Sequence, residues 1–148
     1  MKFLYQILYK LLKIYCKIFY FSPYTTVCAI IKKNNRLLLI DHADGSGHAL
    51  PGGIVKYGEN LEQALIREVW EETGFHAKIT KQLFTQSFTP NSAGTNNTLV
   101  VYEARIISGV MKASNEGVPN FFHIKKLPKL NPDISIVLKK KSIETLFN

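Results

Sequence analysis

Residues 52–75 read GGIVKYGENLEQALIREVWEETGF, and the second half of this stretch carries the start and stop signals of a helix. Asn60 is a favourable N-cap residue, and Gln63 three positions later completes a capping-box pattern. Residues 61–73 contain neither Gly nor Pro. Gly74 follows at the position where a glycine in the left-handed conformation commonly ends a helix. The pattern therefore predicts a helix from residue 61 to residue 73.

Three carboxylates, Glu68, Glu71 and Glu72, share one face of this helix because they are spaced i, i+3 and i+4. Like charges at these spacings destabilise a helix, and the second half of a helix is also near the negative end of its macrodipole. Two interpretations follow. One is a solvated acidic face. The other is a site for Mg²⁺ or Mn²⁺, because these hard cations require clustered oxygen ligands.

The spacing of residues around the helix favours the metal site. Gly53 is followed after five residues by Glu59, and after seven more by the run REVWEETGF of residues 67–75. This pattern resembles the Nudix box, GX5EX7REUXEEXGU with U apolar, at every fixed position. Phe75 is a soft departure, since aliphatic residues are more usual there. The chain is thus similar to the Nudix hydrolase superfamily and its MutT-like members, tightly over the box and more loosely from residue 24 onward.

The resemblance implies a set of metal ligands. In Nudix enzymes the residues at the positions of Glu68, Glu71 and Glu72 ligate Mg²⁺, for which Mn²⁺ can substitute. A glycine carbonyl, here that of Gly52 or Gly53, completes the set, and the same glycines border the bound substrate.

The resemblance also implies roles for two further residues. Arg67 is expected to pair with a carboxylate of the box, with Glu59 as the favoured partner, and so to fix the helix against the preceding loop. Glu116 stands where MutT-like enzymes place a later acidic residue that completes the metal site or acts as a base. Glu103 is its rival but lies inside a predicted strand, and the alternative for Glu116 is a turn residue beside Gly117.

The implied activity is hydrolysis of a phosphoanhydride bond in a nucleoside diphosphate derivative, with metal ions neutralising the phosphates and acidifying the attacking water. Glu68, Glu72 and Glu116 all stay open as the general base. A MutT-like nucleoside triphosphate pyrophosphohydrolase fits the compact chain and Asn131, whose amide is a candidate to hydrogen-bond a base edge. The alternative for Asn131, which precedes Pro132, is a turn or helix-start residue. The alternatives are an RNA 5′ pyrophosphohydrolase and a Nudix domain that binds nucleotides without catalysis.

Residues 1–22 form a separate segment before the domain of residues 23–148. At 100° per residue, the lysines and the glutamine of residues 1–21 fall in a stripe about 80° wide. They are Lys2, Gln6, Lys10, Lys13 and Lys17. We expect a basic amphipathic helix over residues 1–21, because lysines at nearly every turn exclude a spanning helix. Its wide apolar face is covered either by a membrane interface or by protein, from its own domain or from a second subunit in a homodimer.

The rest of the chain alternates between strand-like and loop-like segments. Strands are predicted over residues 24–31, 37–40, 76–89, 98–107 and 121–124. Loops are predicted over 44–47, 90–97 and 111–120, and a last helix over 131–147. This order predicts an α/β fold, and the resemblance specifies it as a Nudix-type α/β/α sandwich around a mixed β-sheet.

Composition sets the remaining limits. The 148 residues fit one domain with a real core, and 46% hydrophobic with 20% charged residues is typical of a globular protein. A formal net charge of +8 favours anionic partners such as nucleotides, nucleic acid or a lipid surface. The two cysteines form no disulfide framework and suit a reducing compartment. We therefore expect a cytoplasmic protein, with a peripheral contact at the inner face of the membrane left open.

Overall fold

The structure of the protein is a computed structural model, and it describes residues 7, 11, 24–88, 97–132, 134 and 135. Seven strands, a central α-helix and a short 3₁₀-helix form the frame of this part of the chain. In chain order they are β1 (Tyr24–Lys33), β2 (Arg36–His42), β3 (His48–Ala49), β4 (Gly52–Ile54), α1 (Leu61–Thr73), β5 (Phe75–Phe88), β6 (Asn97–Gly109), β7 (Gly117–His123) and the 3₁₀-helix Ile124–Lys126.

The strands form one mixed sheet in the order β3-β2-β1-β6-β5, with β4 paired to β1 and β7 paired to β2. Strands β1 and β6 run parallel, and the other pairs are antiparallel. Strand β1 changes its neighbour along its length, because residues 26–28 pair with β4 while Lys32 and Lys33 pair with β2. This fork places the paired glycines of β4 beside the middle of the sheet.

Strand β1 is buried on both faces, as is typical of a strand with a parallel neighbour in an α/β sheet. Its odd-numbered residues share a cluster with the apolar side of α1, which covers that face. The cluster includes Val27, Ala29, Ile31, Ala64, Leu65 and Val69. The intervening Cys28 and Ile30 belong to a second cluster on the other face. The predicted α/β class and mixed sheet are confirmed, and Cys28 is a free, buried cysteine that packs within the second cluster.

The second face of the sheet is covered, as far as the described residues extend, by the chain that follows β7. Leu127, Leu130 and Ile134 pack against the second cluster. The Ser135 backbone N–H donates a hydrogen bond of 2.9 Å to the carbonyl oxygen of Asn131. A helical turn therefore starts at Asn131, where the last helix was expected, and most of that predicted helix lies outside the described residues.

The predicted limits of the central helix are confirmed at both ends. The Gln63 backbone N–H donates to Oδ1 of Asn60 over 2.8 Å, and the Asn60 N–H donates to Oε1 of Gln63 over 3.0 Å. At the other end Gly74 has φ 74°, and its N–H donates to the carbonyl of Trp70. The glycine supplies the left-handed conformation that stops the helix. Both ends are fixed by local contacts, so the helix carries its carboxylates on a rigid support.

The prediction of a loop over residues 111–120 is wrong in its last four residues, because β7 begins at Gly117. Pro119 lies within this strand although proline has no backbone N–H to donate to a sheet. The Ala43 N–H donates to the Glu116 carbonyl, and the hydrogen bonds of an antiparallel pair fall on alternate residues. In this register Pro119 lies opposite Ile40 in a pair that exchanges no backbone hydrogen bonds. A proline is tolerated at such a position on an edge strand. The short strands β3 and β4 were also not predicted.

The amphipathic helix expected over residues 1–21 lies almost entirely outside the described residues. That helix and the domain boundary at residue 22 stay predictions. None of the helices in the described part of the chain is long and apolar enough to cross a membrane.

The capping box predicts the effect of a single substitution. Asn60→Ala removes the side-chain acceptor for the Gln63 N–H, so we expect the free energy of unfolding to fall by about 1 kcal/mol. Urea denaturation followed by circular dichroism measures this change. Asn60→Ser, which can still accept the hydrogen bond, is the matched control and is expected to lie close to the wild type. Equal loss in both variants would show that the cap hydrogen bond is not what the helix start requires.

Candidate active site

Strand β4 and the second half of α1 meet at the centre of the candidate site. The Gly52 backbone N–H donates a hydrogen bond of 2.8 Å to Oε2 of Glu72. A Cβ atom at Gly53 would lie only 2.6 Å from Oε1 of Glu68. A side chain at position 53 therefore displaces Glu68, and the glycine is needed because the β4 backbone approaches the helix carboxylates this closely.

Glu72 is the most deeply buried of the carboxylates, with only 2% of its surface exposed. Burial is the main reason that the pKa of Glu72 is raised to about 8. The hydrogen bond from Gly52 opposes this rise, while repulsion from Glu68, Glu116 and Glu71 adds to it. Without a cation nearby, the Glu72 carboxyl group therefore keeps its proton at neutral pH. When the Glu72 carboxyl group is ionised, it has no positively charged partner among the described residues.

Glu68 is also buried, one turn earlier on the same helix face. Desolvation raises the pKa of Glu68, while a hydrogen bond from Arg67 Nη1 to Glu68 Oε1, 2.6 Å long, opposes the rise. Glu71 is more exposed and faces two cations. Its Oε2 accepts a hydrogen bond of 3.1 Å from Arg67 Nη1, and it lies 3.8 Å from Nζ of Lys56.

Arg67 binds the helix to the loop that precedes it. Its Nε and Nη2 donate to the two oxygens of Glu59 over 2.6 and 2.9 Å, and Nη2 also donates to the carbonyl of Ile54 over 3.2 Å. Bidentate pairs between arginine and a carboxylate are among the strongest charged contacts in proteins. This contact lowers the pKa of Glu59 to about 2, with a smaller contribution from the Lys56 backbone N–H. The expected pairing of Arg67 with Glu59 is present.

Glu116 reaches the same site from the loop before β7. It lines a cleft of about 500 Å³ together with Glu68, Gly53 and Lys56, and the side walls of this cleft are Tyr24 and Ile54. Glu103, the rival candidate, lies elsewhere on strand β6. Its carboxylate pairs with Lys32 over 2.7 Å and with Lys81 over 3.2 Å, so it does not reach the site.

Asn131 lies at a second, smaller pocket of about 190 Å³ that also borders Gly52 and Gly53. Its backbone N–H donates to the carbonyl of His48 over 2.8 Å, which fixes the start of the last helix at this place. Asn97 is buried in the wall of the same pocket. The smaller pocket therefore combines amide side chains with the glycine pair of the main site.

The donor set of the site suits a hard divalent cation, because it consists of carboxylate and carbonyl oxygens. Within the described ranges, no three Asp, Glu, His or Cys side chains are already placed to hold a metal ion. The carboxylates instead accept hydrogen bonds from the protein. Arg67 donates to Glu68 and Glu71, and the Gly52 backbone N–H donates to Glu72. Each carboxylate has further oxygen lone pairs, so a cation can be bound beside these protein donors.

The fold and the site together define an α/β protein with a carboxylate cluster where a capped helix meets a glycine pair. A family model described as the NUDIX domain matches residues 22–139. The chain belongs to the NUDIX family, as the box pattern predicted.

Relatives and solved structures agree with this assignment. The chain is 34% identical over 124 residues to an ADP-ribose pyrophosphatase of Methanocaldococcus jannaschii, which covers 81% of this chain and 73% of the relative. It is 29% identical to the NAD-capped RNA hydrolase NudC of Actinobacillus succinogenes, over 80% of this chain but only 49% of NudC.

Two solved structures have the same fold. A MutT NUDIX hydrolase from Burkholderia pseudomallei superposes with a TM-score of 0.73 at 26% identity, covering 82% of this chain and all of that one (100%). A UDP-X diphosphatase superposes with a TM-score of 0.73 at 28% identity, over 87% of this chain. This chain spans 63% of the diphosphatase.

Sequence reasoning missed three residues that the structure brings to the two cavities. Lys56 reaches the cleft from the loop after β4, Tyr24 forms its wall at the start of β1, and Asn97 enters the smaller pocket at the start of β6. The position of Lys56 inside the box was a usable signal. Tyr24 and Asn97 meet only through the parallel pairing of β1 with β6, which local sequence does not reveal.

The Arg67–Glu59 pair predicts a pH dependence of stability. The folded-state pKa of Glu59 lies below its ordinary value, so the pair stabilises the fold above about pH 4.5 and loses this effect as the pH falls towards 2. We expect Glu59→Gln to unfold more easily than the wild type at pH 6 and the difference to shrink below pH 4. Urea titrations at several pH values measure it. A difference that stays constant down to pH 2.5 would contradict the assignment of the ion pair.

Proposed function

We propose that the protein hydrolyses a phosphoanhydride bond of a nucleoside diphosphate derivative in a reaction that depends on a divalent cation, with Mg²⁺ as the expected ion. The observation that carries this proposal is the gathering of buried carboxylates at a backbone turn too tight for side chains. A protein that only needs to fold gains nothing from burying Glu68 and Glu72 side by side, since each raises the cost of ionising the other.

Three carboxylates and a backbone carbonyl would hold the cation. The candidates are Glu68, Glu71, Glu72 and the carbonyl of Gly53. When bound, a divalent cation neutralises phosphate charge and makes a water molecule more acidic. Arg67 positions this set, because it contacts Glu59 on the loop and Glu68 and Glu71 on the helix.

Glu116 is our assignment for the general base. Its carboxylate lines the cleft, and it has no hydrogen-bond or ion-pair partner among the described residues. The three helix carboxylates each accept a hydrogen bond from a protein donor, which holds them in position, and their remaining oxygen lone pairs can bind a cation. A carboxylate at the open side of the cleft can take a proton from the attacking water without first breaking a contact.

The two cavities on either side of Gly53 suit the two parts of such a substrate. We assign the smaller pocket to the nucleobase, with the Asn131 amide as a donor or acceptor to a base edge and Gly52 beside the phosphates. The larger cleft then takes the phosphates and the second group. The adjacent Asn97 amide is a further polar group in the base pocket.

Two substrate classes have support. The ADP-ribose pyrophosphatase and UDP-X diphosphatase relatives favour a nucleoside diphosphate joined to a second group. A relative described as the nucleoside triphosphatase NudI, 27% identical over 78% of this chain, favours a nucleoside triphosphate. A panel of ADP-ribose, nucleotide sugars, nucleoside triphosphates and 5′-triphosphorylated RNA, assayed with Mg²⁺ and with Mn²⁺, separates these classes. If the protein hydrolyses none of these compounds, the proposal is overturned.

The proposed cation ligands predict a loss of activity. Glu71→Gln and Glu72→Gln keep the shape of the side chain but remove its charge, so we expect turnover with Mg²⁺ to fall about 100-fold or more. Steady-state kinetics on the substrate found in the panel measure this, with thermal unfolding as a check on the fold. Glu62→Gln lies on the same helix near its start and is expected to keep its turnover. Rates near that of the wild type in both site variants would remove these residues from the site.

The proposed base predicts a different pattern. We expect Glu116→Gln to lower kcat by roughly 10²–10⁴-fold, because it removes the proton acceptor, while KM and the unfolding temperature stay near the wild-type values. Pre-steady-state measurements separate the chemical step from product release. Reduced stability with unchanged kcat would instead restore the interpretation of Glu116 as a turn residue.

The cytoplasmic location, the homodimer and the membrane contact through residues 1–21 stay predictions. Deleting residues 1–21 tests the last two. Loss of liposome binding with unchanged turnover supports a membrane contact, and loss of dimer supports a subunit contact.

A further inference from the structure

Lys56 is the only cation among the described residues that line the larger cleft. The phosphates of a nucleotide derivative would enter this cleft against Glu68 and Glu116, which repel them. A cation on the carboxylates offsets part of this repulsion, but phosphate groups beyond it still need a positive partner.

Arg67, the other cation of the site, is not available for this task. All three of its nitrogens donate to the protein, to the carboxylates of Glu59, Glu68 and Glu71 and to the carbonyl of Ile54. Only 18% of its side chain is exposed. Turning Arg67 towards a substrate would break the contacts that join the helix to the loop.

Lys56 differs from Arg67 because its backbone is held by hydrogen bonds while its ammonium group makes only a weak contact. Its backbone N–H donates to Glu59 Oε2 over 3.0 Å, and its carbonyl accepts from the Glu59 N–H over 3.1 Å. Its ammonium group lies 3.8 Å from Glu71 Oε2, beyond hydrogen-bond distance, and 54% of the side chain is exposed. An exposed pair at this distance contributes little to stability and is easily exchanged.

We propose that Lys56 is a substrate-binding residue whose ammonium group contacts a phosphate of the bound nucleotide derivative. In this view Lys56 contacts Glu71 only while no cation is bound, and it loses this contact when the Glu71 carboxylate binds a cation. The flexible stem of a lysine allows such a movement, whereas the backbone contacts with Glu59 keep its base at the mouth of the cleft. The inference rests on the proposed function and adds a specific residue to it.

Calorimetry with two probes tests the proposal. The first probe is adenosine 5′-(α,β-methylene)diphosphate with saturating Mg²⁺, and we expect Lys56→Met to bind it about tenfold more weakly than the wild type. Lys56→Arg keeps the charge and is expected to restore most of the affinity. Lys81→Met removes the same charge from an exposed pair with Glu103 outside the cleft, and it is expected to bind like the wild type.

The second probe is Mn²⁺ alone, and Lys56→Met is expected to bind it at least as tightly as the wild type, because the lysine no longer competes for Glu71. On the substrate that the wild type hydrolyses, the same variant should raise KM more than it lowers kcat.

Three outcomes would overturn the proposal. In the first outcome, the wild type hydrolyses a nucleotide, and Lys56→Met has the same nucleotide affinity and the same KM. This result would refute the role of Lys56 and leave the proposed function intact. Weaker binding of Mn²⁺ alone by Lys56→Met would show that Lys56 supports the carboxylates of the site and would remove the assigned contact with a phosphate. A wild type that neither binds nor hydrolyses any nucleotide of the panel would overturn the proposed function and this inference with it.

Discussion

Negative charge concentrated around one glycine turn is the constraint on which the rest of this structure depends. Five carboxylates meet there, those of Glu59, Glu68, Glu71, Glu72 and Glu116. Among the described residues, Arg67 and Lys56 are the cations that contact them. The fold tolerates this arrangement in two ways. Arg67 contacts three of the carboxylates, and burial raises the pKa of Glu72 to about 8 so that it can keep its proton.

The architecture holds the two halves of the site together without support from a flexible loop. Strand β1 pairs with β4 near its start and with β2 at its end, so the glycine pair is fixed to the sheet. The other half lies on α1, which packs through Ala64, Leu65 and Val69 and is capped at both ends. Arg67 then joins helix and loop through Glu59. Rigid elements on both sides keep repelling groups close, which a mobile loop would not do.

Much of this site could be predicted from the sequence because its signals are local. The caps of α1, the shared face of its carboxylates and the pairing of Arg67 with Glu59 all lie within 24 residues. Strand β4 was missed because three residues with two glycines carry no hydrophobic alternation, and its pairing with β1 is a tertiary contact. The start of β7 was missed because Pro119 argues against a strand until the register with β2 is known. The contact of Lys56 with Glu71 also depends on how the loop folds back.

Titration of the protein with Mn²⁺ by calorimetry, repeated in buffers of different ionisation enthalpy, tests the central claim most directly. We expect saturable binding near pH 7 with release of protons, because the cation displaces the proton that burial holds on Glu72. Glu72→Gln should bind far more weakly and release fewer protons. Absence of saturable binding in the wild type, or equal binding and proton release in both proteins, would contradict a cation site at these carboxylates.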